Sequence, residues 1–91
     1  MTIRYRRHPE MRLTALEGEG VVLHLGARRY FTVTESGLAI LEALTEPRTF
    51  DELVAVLNEQ YDVTPEQAAD SAREFIDRCC DADLLVVERE S

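Results

Sequence analysis

Several residue types are missing or rare in this sequence, and their scarcity limits the classes of protein to which it can belong. The 91 residues include no lysine or tryptophan, two cysteines and no apolar run longer than five residues. A bilayer span needs about 20 apolar residues, so we predict no membrane segment, no secretion signal and a cytoplasmic location. With only four glycines and three prolines against 45% apolar residues, the chain is expected to fold as one small globular domain.

The sequence also lacks a recognisable catalytic or metal-binding set. Cys79 and Cys80 are adjacent within a helical pattern, where successive side chains point about 100° apart, so no disulfide is predicted. His8 and His24 lie far from them in sequence, and His24 is expected to be a half-exposed strand residue. No glycine-rich phosphate loop is present. We therefore predict no enzyme activity, no cofactor and no metal.

The charge is strongly negative and unevenly distributed. The formal net charge is −8, with a net +3 over residues 1–29 and a net −11 over residues 30–91. A chain this acidic repels phosphate backbones unless its arginines are tightly clustered. A winged-helix DNA-binding protein therefore remains only as an alternative from another class, and we expect neither nucleic acid nor membrane as a partner.

Alternation of apolar and polar residues predicts three consecutive antiparallel strands. They cover residues 11–15, 21–25 and 28–33. Residues 17–20 supply the first turn, and Gly26-Ala27 suits a two-residue type II′ hairpin. Residues 1–10 have no periodic pattern and are predicted to form an N-terminal arm.

Three helices follow, because the apolar period changes to 3.6 and each helical pattern begins at a threonine. Thr34, Thr49 and Thr64 are predicted N-caps, and the third helix should run to about residue 81. Residues 84–88 are β-prone and could form a short strand. The predicted class is α+β and winged-helix-like, a three-stranded antiparallel sheet followed by three helices, with the domain over residues 11–88 and a tail at 89–91.

The third helix and the third strand together suggest a peptide-binding groove. The apolar arc of the helix spans about 140°, which is wider than one packing contact needs. One margin of this arc carries both apolar and charged side chains: Ala69, Asp70, Arg73, Ile76 and Asp77. The alternative is that Arg73 only forms ion pairs along its own helix. The third strand has no proline, so its edge is open to an added strand unless residues 84–88 cover it.

The ordered motifs in the chain resemble those of a known family. The motifs are Leu23-His24-Leu25-Gly26, Arg29 to Gly37, Ile40 to Leu44, Thr49 to Leu53, Tyr61-Asp62-Val63, Asp70, Phe75-Ile76 and Leu84-Leu85. Over residues 11–86 this set resembles the PqqD-like family, the RiPP recognition elements, which bind leader peptides of ribosomally made natural products. The short form is most similar to the leader-binding subunit of split lasso-peptide systems.

The resemblance implies a mode of binding and a set of partners. It implies that a precursor's leader lies antiparallel to the third strand, pairs with Arg29, Tyr30, Phe31, Thr32 and Val33, and seats a tyrosine and a proline in apolar pockets. The third helix would supply the facing wall, and a separate leader peptidase would receive the peptide. The alternative within the family is the pyrroloquinoline-quinone peptide chaperone, which works with a radical enzyme. The sequence departs from the family pattern at Ser71 and Asp83, where an aliphatic residue and a glycine are common.

Overall fold

The structure is a computed structural model that describes residues 1–90. It contains six strands and three helices within those residues. In chain order they are β1 (Thr2–Arg7), β2 (Met11–Leu16), β3 (Glu19–His24), β4 (Arg29–Thr34), α1 (Glu35–Ala43), β5 (Arg48–Thr49), α2 (Phe50–Gln60), α3 (Pro65–Asp81) and β6 (Leu85–Glu90). The predicted α+β class is confirmed, although the strands form two sheets where one was expected.

Strands β2, β3 and β4 form the predicted antiparallel meander. The first turn has two residues between Leu16 and Glu19, and Gly18 adopts a φ of +77° there. The predicted two-residue hairpin at Gly26-Ala27 is wrong, because His24 pairs with Arg29 and leaves a four-residue loop between them. The left-handed residue of this loop is Arg28, with a φ of 54°.

The second sheet has the order β5, β1, β6, and it corrects the prediction of an N-terminal arm. Strand β1 pairs antiparallel with β6 along its whole length, from Thr2 opposite Glu90 to Arg7 opposite Leu85. Tyr5 is buried in the core, and Arg6 forms an ion pair with Glu88. Both strand partners of β1, β5 and β6, are distant in sequence, so no hairpin pattern marks residues 2–7.

Strand β6 was predicted as a short strand over residues 84–88, and it extends further than that. Residues 89 and 90, assigned to a tail from the sequence, belong to β6, whereas residue 91 lies outside the described residues. Because β6 pairs with β1, it does not cover β4. Within residues 1–90, β4 has β3 as its one strand neighbour, and its other edge is open.

The three helices begin at the predicted caps. Thr34, Thr49 and Thr64 each accept a hydrogen bond from a backbone N–H in the first turn, and the last two form complete capping boxes. Helix α1 packs on the meander, and α2 and α3 pack against each other and against the second sheet, so one core joins all these elements. The largest fully buried side chains are Val22, Ile40, Leu41, Leu53 and Ile76.

None of the helices in the described part of the chain is both long enough and apolar enough to cross a membrane.

Candidate functional site

A groove of about 460 Å³ runs between the open edge of β4 and the C-terminal half of α3. Strand β4 brings backbone and side-chain atoms to one wall, and α3 forms the other. The lining residues are Arg29, Phe31, Thr32, Val33 and Thr34 from β4, Phe75, Arg78, Cys79 and Asp81 from α3, and Ala82 and Leu84 beyond it. An apolar groove beside an unpaired strand edge is suited to an extended peptide.

The floor of the groove is apolar and closely packed. Phe31 and Val33 point inward from β4 and pack against the core, and Phe75 does so from α3. The Phe75 ring lies directly over the backbone of α1, where Gly37 leaves space for it. Burial raises the pKa of Cys79 to about 12, so this thiol is neutral at physiological pH and acts as a small apolar side chain.

The rim of the groove carries more positive than negative charge. Arg29 stacks over the Phe31 ring at 5.3 Å from guanidinium carbon to ring centroid. Arg78 lies 3.6 Å from Glu74 on the exposed side of α3. Asp81 is the one carboxylate among the lining residues. Although the whole chain is acidic, two guanidinium groups at this rim can face an incoming acidic side chain.

A second cavity of about 340 Å³ adjoins the groove and shares Thr34 with it. It lies among the first turn of α1, the end of α2 and the start of α3. Tyr61 lies in this cavity, and the pKa of its hydroxyl is raised by burial and by the charge of Glu35. The remaining lining residues are mostly small or apolar: Ser36, Leu57, Val63, Ala68 and Ser71. A peptide running along β4 would reach this cavity beyond Thr34.

The structure places most of the predicted β4 residues in the groove. Arg29, Phe31, Thr32 and Val33 line it. Tyr30 is not among the lining residues, and its side chain, in the pair with Leu23, is 75% exposed. Backbone pairing is still open to Tyr30, since pairing does not depend on the direction of the side chain.

The predicted α3 residues do not line the groove. Ala69 is half-buried, Asp70 and Asp77 are exposed, and Ile76 is fully buried in the core. Arg73 lies across the helix from β4, where it donates a hydrogen bond to the Tyr5 hydroxyl at 3.4 Å. The apolar arc of α3 has two margins, and the other one, which carries Phe75, faces β4.

Arg73 makes tertiary contacts that the sequence did not reveal. Its guanidinium carbon lies 4.2 Å from the centroid of the Phe50 ring, and its Nη1 lies 3.6 Å from Asp77 Oδ1. The hydrogen bond that Arg73 donates to Tyr5 is the main cause that raises the pKa of Arg73. No ion pair joins Arg73 to Asp70 among the described residues, so of the two predicted pairs along the helix only that with Asp77 forms.

The lining residues that the sequence analysis did not predict are mostly on the other margin of α3 and just beyond it: Thr34, Phe75, Arg78, Cys79, Asp81, Ala82 and Leu84. Phe75 was the available signal. It is the largest apolar side chain on α3, and an aromatic ring at the edge of an apolar arc favours that edge as the floor of a groove.

Comparison with known families identifies the fold around this groove. The family model described as "Coenzyme PQQ synthesis protein D (PqqD)" matches residues 19–85. The chain belongs to the PqqD family. The match begins at β3 and ends at the first residue of β6, so it includes both walls of the groove.

Two solved structures share this PqqD fold. One is TbiB1 in complex with the TbiA(beta) leader peptide, with 24% identity and a TM-score of 0.80, covering 88% of this chain and 93% of the other. The second is a lasso peptide synthetase B1 complexed with the leader peptide, with 15% identity and a TM-score of 0.77, covering 90% and 96%. No curated protein sequence matches the chain.

Proposed function

We propose that this PqqD-family chain is a non-catalytic adaptor that binds the leader peptide of a ribosomally made precursor. The observation that carries the proposal is the open edge of β4 beside the apolar groove of α3. An extended leader paired antiparallel with β4 would turn alternate side chains toward Phe75, Cys79 and Ala82. Both structures that share the fold contain a leader peptide, which supports this choice of occupant.

The groove and the adjoining cavity are two apolar pockets that a peptide along β4 could occupy in turn. They meet at Thr34, so a leader with two large apolar anchors separated by a few residues would fill both. The resemblance to RiPP recognition elements supplies candidates for these anchors, a tyrosine and a proline. We further expect an acidic leader residue near Arg29 and Arg78, where a charge-assisted hydrogen bond is available.

The proposed pathway is that of a lasso peptide, in which the adaptor presents the leader to a separate leader peptidase. Since the precursor is made on the ribosome, the proposal places the encounter in the cytoplasm. The alternative is a pyrroloquinoline-quinone-type chaperone that works with a radical enzyme, and the description of the matching family favours it. The similarity to a lasso peptide synthetase B1 leads us to prefer the peptidase pathway.

The strand-addition mode can be tested with a series of leader peptides, each N-methylated at one backbone nitrogen. In an antiparallel ladder, alternate residues of the added strand turn their N–H groups toward the partner. We expect affinity, measured by calorimetry, to fall at every second position across the paired segment. A scrambled leader is the control. Loss at consecutive positions, or at none, would contradict pairing with β4.

The adaptor role requires a second measurement. Leader incubated with the chain alone should be recovered intact by mass spectrometry, whereas adding the pathway peptidase should give cleavage that depends on the chain. Cleaved or modified leader in the absence of any enzyme would contradict a non-catalytic role. Faster turnover with a radical enzyme and none with the peptidase would favour the alternative pathway.

A further inference from the structure

His24 is buried, contrary to the expectation that it would be half-exposed. It is 5% exposed, and it is the buried polar residue of the core. Its Nδ1 accepts a hydrogen bond from the backbone N–H of Ala27 at 3.1 Å. Its Nε2 has no hydrogen-bond partner among the described residues. A buried polar nitrogen without a partner is costly, so its retention in the core indicates a ligand or a function.

Two further side chains meet His24 at this point. The ring centroid of His8 lies 4.7 Å from that of His24. The Asp83 carboxylate oxygen Oδ2 is 3.7 Å from His8 Nε2 and 3.6 Å from His24 Nε2. The three possible ligand atoms lie within 4.8 Å of one another. The sequence separates these residues widely, but the ends of β1, β3 and α3 bring them together.

The backbone at Asp83 adopts a conformation that favours glycine. Its φ is 61°, in the left-handed region. It ends α3 in a Schellman motif, in which Leu84 N–H donates to Cys79 O at 2.8 Å and Asp83 N–H to Cys80 O at 3.1 Å. Glycine would occupy this position without strain. An aspartate there instead places a carboxylate beside two histidines, which is consistent with a functional site.

We propose that His8, His24 and Asp83, none of which lines the groove, bind a divalent metal ion of the zinc type. Two imidazole nitrogens and one carboxylate oxygen are ligands that such ions prefer, and water would complete the coordination. Tetrahedral zinc holds its ligand atoms about 3.3 to 3.5 Å apart. The observed Nε2 to Oδ2 distances are close to this, and the exposed Asp83 side chain is free to move inward.

Binding through Nε2 has a specific consequence for the hydrogen bonds of both rings. His8 Nδ1 accepts the backbone N–H of Glu10 at 3.0 Å, as His24 Nδ1 accepts that of Ala27. In its neutral form, a ring whose Nδ1 accepts a hydrogen bond carries its proton on Nε2. Coordination through Nε2 moves that proton to Nδ1 and releases the amides of Glu10 and Ala27. Loss of these two hydrogen bonds lowers the affinity for the metal ion. The released amides also give metal binding a recognisable NMR signature.

The test is a titration of the untagged, chelator-treated chain with Zn²⁺, followed by calorimetry and by amide NMR. We expect one ion per chain and large shifts at the amides of Glu10 and Ala27. Asp83→Asn should weaken binding by at least about tenfold, since even losses outside the ligand set cost about 10- to 100-fold. His8→Gln is the second variant, chosen because His24 is buried and its replacement threatens folding. Asp62→Asn, which removes an exposed carboxylate elsewhere, is the matched control and should bind Zn²⁺ as the parent does.

Four results would overturn the site. They are no binding at millimolar Zn²⁺, equal affinity in the parent and both site variants, shifts centred on Cys79 and Cys80, and unmoved amides at Glu10 and Ala27. No peptide is present in this titration. The titration therefore tests the metal site independently of the leader-binding proposal.

Discussion

The Phe75 ring of α3 lies against the backbone of Gly37 in α1, where a Cβ atom would stand 2.6 Å from the nearest ring carbon. This close approach sets the height of the groove floor, because Phe75 lines the groove on its other side. Any side chain at position 37 must push the ring toward the peptide path or separate the two helices.

We predict that Gly37→Ala weakens leader binding. Overpacking costs about 1 to 3 kcal/mol, and the gain in helix propensity returns about 1 kcal/mol of it. The melting temperature should therefore fall modestly, while the affinity falls by about tenfold or more as the ring is displaced. Phe75→Leu in the Gly37→Ala background should recover the lost stability. If Gly37→Ala binds leader as the parent does, Phe75 does not shape the binding surface.

A larger side chain at Ala82 offers a way to block the groove. It lies half-buried at the end of α3, among the lining residues. Ala82→Leu should fill the space for a leader side chain and reduce affinity by about tenfold or more, with little effect on stability. The matched control is Ala55→Leu on the exposed side of α2, which should change neither property. Full binding by the Ala82 variant in a calorimetric titration would exclude this end of the groove.

A substitution at Arg73 tests which of the two margins of α3 faces the peptide. The structure places it against Tyr5 and Phe50, so Arg73→Ala should lower the free energy of unfolding by about 1 kcal/mol through the lost cation–π contact and hydrogen bond. Leader affinity should stay unchanged, since Arg73 does not line the groove. A double-mutant cycle with Tyr5→Phe measures their coupling. An affinity loss in Arg73→Ala with parental stability would place the peptide on the margin first predicted from the sequence.

The Cys79 thiol should make stability depend on pH under alkaline conditions. Burial raises its pKa to about 12 in the folded chain, against an ordinary value near 9. The unfolded state therefore ionises first, and stability that is fully present below about pH 9 is lost progressively up to about pH 12. Denaturant midpoints measured across this range should fall more steeply in the parent than in Cys79→Ala. Parallel curves for the two proteins would indicate that the thiol ionises readily in the folded state.

The sequence predicted those parts of the fold that local chemistry specifies. Thr34, Thr49 and Thr64 mark the helix starts, because a cap and its partner lie within four residues of each other. The three strands of the meander were predicted for the same reason, since each pairs with its neighbour in the chain. Strand β1 escaped prediction because its pairing with β6 joins the two ends of the chain, and the alternation of Ile3 and Tyr5 with Arg4 and Arg6 is too short to indicate a strand.

The candidate site was predicted in part, for a related reason. Period and composition identified β4 as an open edge and α3 as a helix with a wide apolar arc. The choice between the Arg73 margin and the Phe75 margin depends on how α3 packs on α1, and Gly37 opposite Phe75 decides it. The meeting of His8, His24 and Asp83 depends on three chain segments at once, which no spacing rule describes.

The open edge of β4 exposes the chain to its own copies as well as to a peptide. Two such edges could pair with each other, giving a self-associated form that competes with the leader for the same backbone groups. The net charge of −8 opposes that encounter, because every copy carries the same excess of carboxylates. The excess of acidic residues would thus keep the edge of β4 available for a leader peptide.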